Sequence, residues 1–134
     1  MSEDLVQWLG EQLDEEAEAA QQAFSGQADP ENGWGAHRPE RQQHTTITPH
    51  VGVIHEAVQA DHIVRWNPAR VLGEIDAKRR IIDAHPAINV SDLGSDCGTC
   101  YRDDGINASW PCRTLRLLAL PYSDRPGYRE EWRP

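Results

Sequence analysis

The sequence predicts an α+β fold, mainly helical, with a short β-hairpin and an acidic N-terminal helix. Two patterns predict it. Apolar residues recur at threes and fours over residues 5–24, and again after Asn67-Pro68, which is helical periodicity. Between these stretches, Thr45–Thr48 and Val51–Val58 read as two short strands around Pro49 and His50, as in a small antiparallel hairpin.

The first helix is expected to run for about 22 residues. Ser2 can cap it, Glu3 and Asp4 sit where the helix dipole favours acids, and Gly26 can stop it. Its stripe is Leu5, Leu9, Leu13 with Trp8, Ala17, Ala20 and Phe24, narrow enough that the helix must dock on something. The core of its own chain is the first expectation, with a twin chain or a partner as alternatives. Residues 27–44 are rich in Gly, Pro and polar groups and read as a loop or linker, pinned by Trp34. In the second strand, Val51, Val53, His55 and Ala57 share one face.

From Ala60 the period turns helical for a short stretch through Ile63, Val64 and Trp66. Asn67-Pro68 then signals a helix start, because Asn caps free N–H groups and Pro tolerates the first helical position. That helix is expected to reach about His85, where Pro86 stops it. Val71, Ile75 and Ile82 cluster on one side, flanked by Leu72 and Ile81, and His85 falls at the buried edge of the last turn. Residues 86–111 read as loop and turn. Arg113–Leu120 forms a leucine-rich helix broken by Pro121, and Tyr128 and Trp132 suit one last helical turn packing back. The expected organisation is an acidic helix over 1–26, a linker over 27–44 and a small α+β domain over 45–134.

The chain has 134 residues, a hydrophobic fraction of 38% and a net charge of −9, with a mean hydropathy of −0.70. A core that small usually needs a staple. The charge has a simple location. Residues 1–31 hold nine acids and no Lys or Arg, which leaves 13 of the 22 acids to face all 13 bases in a neutral body. A negative arm repels nucleic acid and favours a basic partner or plain solubility. No charged-then-apolar leader opens the chain and no run approaches the roughly 20 apolar residues of a bilayer span, so a cytoplasmic protein is expected.

In a reducing cytoplasm three thiols read as ligands before they read as disulfides. Cys97-Gly98-Thr99-Cys100 has the spacing of a zinc knuckle, in which two thiolates grip one tetrahedral ion while backbone N–H groups point at the sulfurs and Gly98 eases the turn. Cys112 follows at the start of the leucine-rich helix, where the local positive potential stabilises a thiolate. Knuckle, hairpin and helix start outline a treble-clef-like or ribbon-like structural Zn2+ site. A standard treble clef would take its fourth ligand from the next turn of that helix, but Leu115 and Arg116 stand there. His85 is the best candidate, 12 residues before Cys97. His62 and His55 are the alternatives, then His37, His44 and His50. Without metal, His85 is a helix C-terminal histidine favoured by the dipole and the cysteines are a reduced or redox CxxC. No strand-then-helix context supports the redox form. Four filled positions make such a site structural and not catalytic.

The stretch His62-Ile63-Val64-Arg65-Trp66-Asn67-Pro68-Ala69-Arg70-Val71-Leu72, continuing through Ala77-Lys78-Arg79-Arg80-Ile81, resembles a family of small actinobacterial and actinophage proteins of unknown function, DUF6221. So do the cysteine pair, the block from Trp110-Pro111-Cys112 to Pro121-Tyr122, and Pro126, Tyr128 and Trp132. The resemblance implies a source and a shared scaffold and carries over no functional residues. A phage-encoded member would work in the host cytoplasm.

The function expected is a non-enzymatic, zinc-stabilised interaction or regulatory module, its acidic helix and aromatic tail (Tyr122, Tyr128, Trp132) docking on a protein partner. The alternative is a nucleic-acid-binding zinc protein acting in transcription. Lys78-Arg79-Arg80 invites it, but successive helix residues point about 100° apart and form no single basic stripe; Arg113 and Arg116 add one more basic patch. Catalysis finds little support: there is no P-loop, GxSxG, HExxH or dinucleotide fingerprint. His50 and His55 point to opposite faces of a strand.

Overall fold

A computed structural model describes residues 3–24, 34–41, 43–48, 51–101 and 109–134, save the side chains of Glu3 and Phe24. The expected capping by Ser2, the stop at Gly26, the docking of Phe24 and the turn at Pro49 and His50 lie outside the described residues. The fold is α+β, about half helical, with two small antiparallel sheets. The chain forms two compact units, one of residues 1–15 and 76–134, the other of residues 16–75.

In the second unit, β1 (Gly35–His37), β2 (Thr45–Thr48) and β3 (Gly52–Ile54) form a sheet in that order. Helix α2 (Ala57–Arg65) packs on all three strands. Thr45 and Ile47 are buried, as is Ala60 of α2. The hairpin is where the alternation placed it, but two readings change. The second strand ends at Ile54 because α2 starts at Ala57. The face shared by Val51, Val53 and His55 is the exposed one: Val53 is 57% exposed, and it pairs with Thr46. The register Thr45↔Ile54 and Ile47↔Gly52 turns Ile54 and Gly52 to the buried side instead. β1 falls inside the stretch read as linker, where three residues beside Trp34 are too few to show alternation.

Asn67 does more than cap one helix. Its Oδ1 accepts the N–H of Arg70, opening α3 (Pro68–Asp83), while its Nδ2 donates to the Val64 carbonyl at the end of α2. One side chain thus satisfies orphan groups on both sides of a two-helix joint. Of the apolar residues predicted for α3, Ile75 is fully buried, Val71, Leu72 and Ile82 are half-buried, and Ile81 is exposed.

In the first unit, α1 (Glu3–Phe24) brings Leu5, Leu9 and Leu13, all essentially inaccessible. Trp8 meets the C-terminal segment. Its ring centroid lies 5.7 Å from Tyr128 and 5.4 Å from Trp132, which are 5.8 Å apart in an edge-on pair. Its Nε1 donates to the Pro126 carbonyl at 3.0 Å. Arg129 reaches Asp4, and Arg125 donates to the buried Gln12. The aromatic tail expected to dock on a partner therefore closes on its own N-terminal helix, with Tyr122 and Trp132 buried. Its last turn is a 3-10 turn at Glu130–Trp132.

Residues 86–111, read as loop, contain a second hairpin: β4 (Ala87–Ser91) and β5 (Gly94–Cys97). Asn89 adopts φ +52° and the register shifts between Ile88 and Ser91, so the strand carries a bulge that hides its alternation. Helix α4 (Arg113–Ala119) buries Leu115 and Ala119 and continues as a 3-10 turn over Leu120–Tyr122. Among the described residues no helix is long and apolar enough to cross a membrane.

Gly127 sits at φ +87°, and a Cβ there would lie 2.8 Å from Nε1 of the clamped Trp8. Gly127→Ala is expected to destabilise the protein by at least about 1–2 kcal/mol, the ordinary cost of an L-residue in that region. Gly73→Ala, where an added Cβ inside α3 meets nothing within 4 Å, is expected to stabilise by up to about 1 kcal/mol. Urea unfolding midpoints of the two variants check both signs.

Candidate metal centre

α3 ends at Asp83, and the chain tightens before turning: the His85 N–H donates to the Ile82 carbonyl at 3.0 Å. Pro86 then enters β4 with no N–H to continue the helix. His85 is half-buried and stands two residues past the end of the helix, not in its last turn as expected. Its Nδ1 lies 3.4 Å from Cys97 Sγ, 3.6 Å from Cys100 Sγ and 3.5 Å from Cys112 Sγ. The four ligand atoms all lie within 4.8 Å of one another, the one such cluster among the described residues.

These distances have a plain geometric reading. A tetrahedral ion with metal–sulfur bonds of about 2.3 Å and metal–nitrogen bonds of about 2.0 Å has N···S edges of about 3.5 Å. The three edges from Nδ1 match that length. The donor set is compatible with a metal site.

Each ligand comes from a different local device. Cys97 ends β5, Cys100 follows it by one turn, and Cys112 is the N-cap residue of α4. The backbone N–H groups of Thr99 and Cys100 point at the Cys97 sulfur, as the knuckle spacing predicts. The role of Gly98 differs from the expected one. What it supplies is space, since a Cβ would stand 3.1 Å from Pro86 Cγ and 3.3 Å from Ile88 Cγ2. Its own N–H donates to the Pro86 carbonyl at 2.8 Å.

Electrostatics divide the thiols. Burial opposes charge on Cys97, yet the N–H groups of Cys100 and Thr99, with the neighbouring thiols, bring it below the ordinary thiol value. Cys100 is pushed up to about 12, by burial first and then by charge on Cys112. Cys97 and Cys112 are fully buried, and Cys100 is partly so.

His55, His62 and His37, the alternatives for the fourth ligand, are exposed, and His44 is half-buried; none joins the cluster, and His50 lies outside the described residues. What sequence reasoning missed is the ring of donors around His85. Trp110 Nε1 donates to the His85 carbonyl at 2.9 Å, and Thr99 Oγ1 donates to the Ala84 carbonyl. Trp110 in the block before Cys112 was visible, but its partner was not.

The family model for the family of unknown function DUF6221 matches residues 2–134. The chain belongs to that family. No curated protein and no solved structure matches it.

In the metal-free chain Cys100 keeps its proton through neutral pH, so uptake of a cation by all three sulfurs must expel it. Metal binding at pH 7 is therefore expected to release at least one proton per ion, with affinity falling as pH falls. Titration calorimetry in buffers of different ionisation enthalpy counts the protons.

Proposed function

We propose that this protein is a non-enzymatic module held together by a structural Zn2+ ion on His85, Cys97, Cys100 and Cys112. The observation that carries the reading is the set of three near-equal Nδ1···Sγ separations, 3.4, 3.5 and 3.6 Å, about one nitrogen. Three thiolates and an imidazole are the Cys3His donor set of structural zinc. Four protein ligands fill the tetrahedron and leave no position for a substrate or an activated water. The ion would tie the segment leaving α3 to the knuckle after β5 and to the start of α4.

The task such a scaffold supports best is presentation of a surface to a protein partner. At the turn beside the β4–β5 hairpin, Leu93 is 100% exposed and Val90 73% exposed. Neither side chain contributes to the core, and the staple lies at the other end of the same hairpin. The nucleic-acid reading gains no new support, since each residue of the basic triplet has a partner within the chain, two of them in exposed ion pairs. Lys78 donates to the Tyr122 hydroxyl at 2.8 Å, Arg79 pairs with Asp14 and Arg80 with Asp76.

Mass spectrometry of the native protein is expected to find one zinc per chain, held more weakly in His85→Ala, where water takes the fourth position, and absent in Cys97→Ser. Chelation is expected to unfold the wild type at urea concentrations where the zinc-loaded protein stays folded. Protein purified without chelator and free of metal would falsify the reading. The double change Val90→Ser, Leu93→Ser is expected to alter unfolding stability by less than about 0.5 kcal/mol and to leave zinc content unchanged. Loss of a stoichiometric protein partner in the same variant, by co-purification, tests the presentation surface.

A further inference from the structure

Three successive carbonyls follow the end of α3, and each is taken by a donor from a cysteine-bearing segment. Thr99 Oγ1 donates to the Ala84 carbonyl, Trp110 Nε1 to the His85 carbonyl at 2.9 Å, and the Gly98 N–H to the Pro86 carbonyl at 2.8 Å. Gly98 and Thr99 lie between Cys97 and Cys100, and Trp110 lies two residues before Cys112. Carbonyls past the end of a helix have no intrahelical donor and must be satisfied by water or by another part of the chain. Here the segments that carry the sulfurs satisfy them.

The choice of ring atom makes this consequential. The nitrogen facing all three sulfurs is Nδ1, the one bonded to the carbon next to Cβ. An ion on Nδ1 sits close to the histidine's own backbone, and the side chain has little length with which to absorb a shift. Fixing the carbonyls of residues 84–86 therefore fixes the nitrogen.

We infer that Trp110, with Thr99 beside it, is a positioning residue of the metal centre: its indole N–H holds the His85 backbone so that Nδ1 stands ready at the fourth corner of the thiolate triangle. The inference rests on the metal reading above. Trp110 is half-buried and its indole N–H reaches no sulfur; it acts through His85. Groups that orient a ligand from outside the coordination shell commonly govern metal affinity by about 10–100-fold.

The test uses the full chain as wild type, Trp110→Phe, Thr99→Val and His85→Ala. Phe keeps the ring and its packing but removes the donor; Thr99→Val does the same at an exposed turn, should Trp110→Phe fold poorly. Zinc affinity is read by competition with a chromophoric chelator, and ligation by the absorption of the Co2+-substituted proteins. Both donor variants are expected to fold, to bind zinc about 10–100-fold more weakly, and to keep the sulfur-to-cobalt charge-transfer intensity of three thiolates. Their d–d bands are expected to move toward those of His85→Ala. Unchanged affinity and bands in both variants would overturn the inference. So would loss of the sulfur bands along with the rest, or failure of both variants to fold, since the bonds would then serve the fold and not the fourth ligand. A wild type that takes up neither Zn2+ nor Co2+ would overturn the metal reading itself and this inference with it. A metal-loaded wild type with indifferent donor variants would overturn the inference alone.

Discussion

Three thiols drawn to one point pose a problem of charge. With Cys97 favoured as a thiolate by two backbone N–H groups, each further ionisation meets the charge already present, and Cys100 is left holding its proton. A divalent cation would remove the conflict by supplying the charge at the centre of the cluster. The four side chains arrive from the segment leaving α3, from β5, from the turn after it and from the start of α4, so an ion on them would join all four. Magnitudes show why the staple matters. A fully buried leucine contributes about 1.5–3 kcal/mol, whereas structural zinc in small peptides is worth on the order of 10 kcal/mol or more. In the first unit the fully buried large side chains are Leu5, Leu9, Leu13 and Leu115, together with the two cysteines themselves.

The aromatic clasp of Trp8, Tyr128 and Trp132 supplies a second tie in the first unit, a packed contact between the N-terminal helix and the C-terminal segment. Each such ring pair adds about 0.5–1.5 kcal/mol beyond its burial. The ion pairs around it, such as Arg129 with Asp4, are partly exposed and count for less. The acidic arm is thereby more than a solubility tag: Asp14 and Asp4 pair with Arg79 and Arg129, and the buried, neutral Gln12 accepts from Arg125.

How much of this was legible varies with how local the cause is. α1 was read to its length because a stripe of Leu5, Leu9 and Leu13 repeats over many turns. The joint at Asn67-Pro68 was legible because capping is a two-residue matter. The grouping of His85 with the three cysteines was legible because CxxC and a cysteine at a helix start announce their chemistry, and because Leu115 and Arg116 excluded the usual fourth position. The β4–β5 hairpin was not, since a bulge at Asn89 breaks the alternation on which recognition depends. β1 is three exposed residues whose strand character comes from β2 alone. The orientation of the second strand needed its register. Whether Tyr128 and Trp132 faced inward or outward depended on Trp8, a residue 120 positions from Tyr128, and no window of sequence spans that.

That separation has a consequence in time. The carbonyl that holds the Trp8 indole belongs to Pro126, 118 residues later. At synthesis rates of about 5–20 residues per second, roughly 6–24 s pass between the emergence of the two. Through that interval the apolar stripe of α1 has been made and its clasp has not. The newborn chain thus carries Trp8 without its clasp until Pro126, Tyr128 and Trp132 have been made. Asp4, Glu11 and Asp14 are interleaved with that stripe, and charge placed beside apolar residues opposes self-association of an uncovered segment.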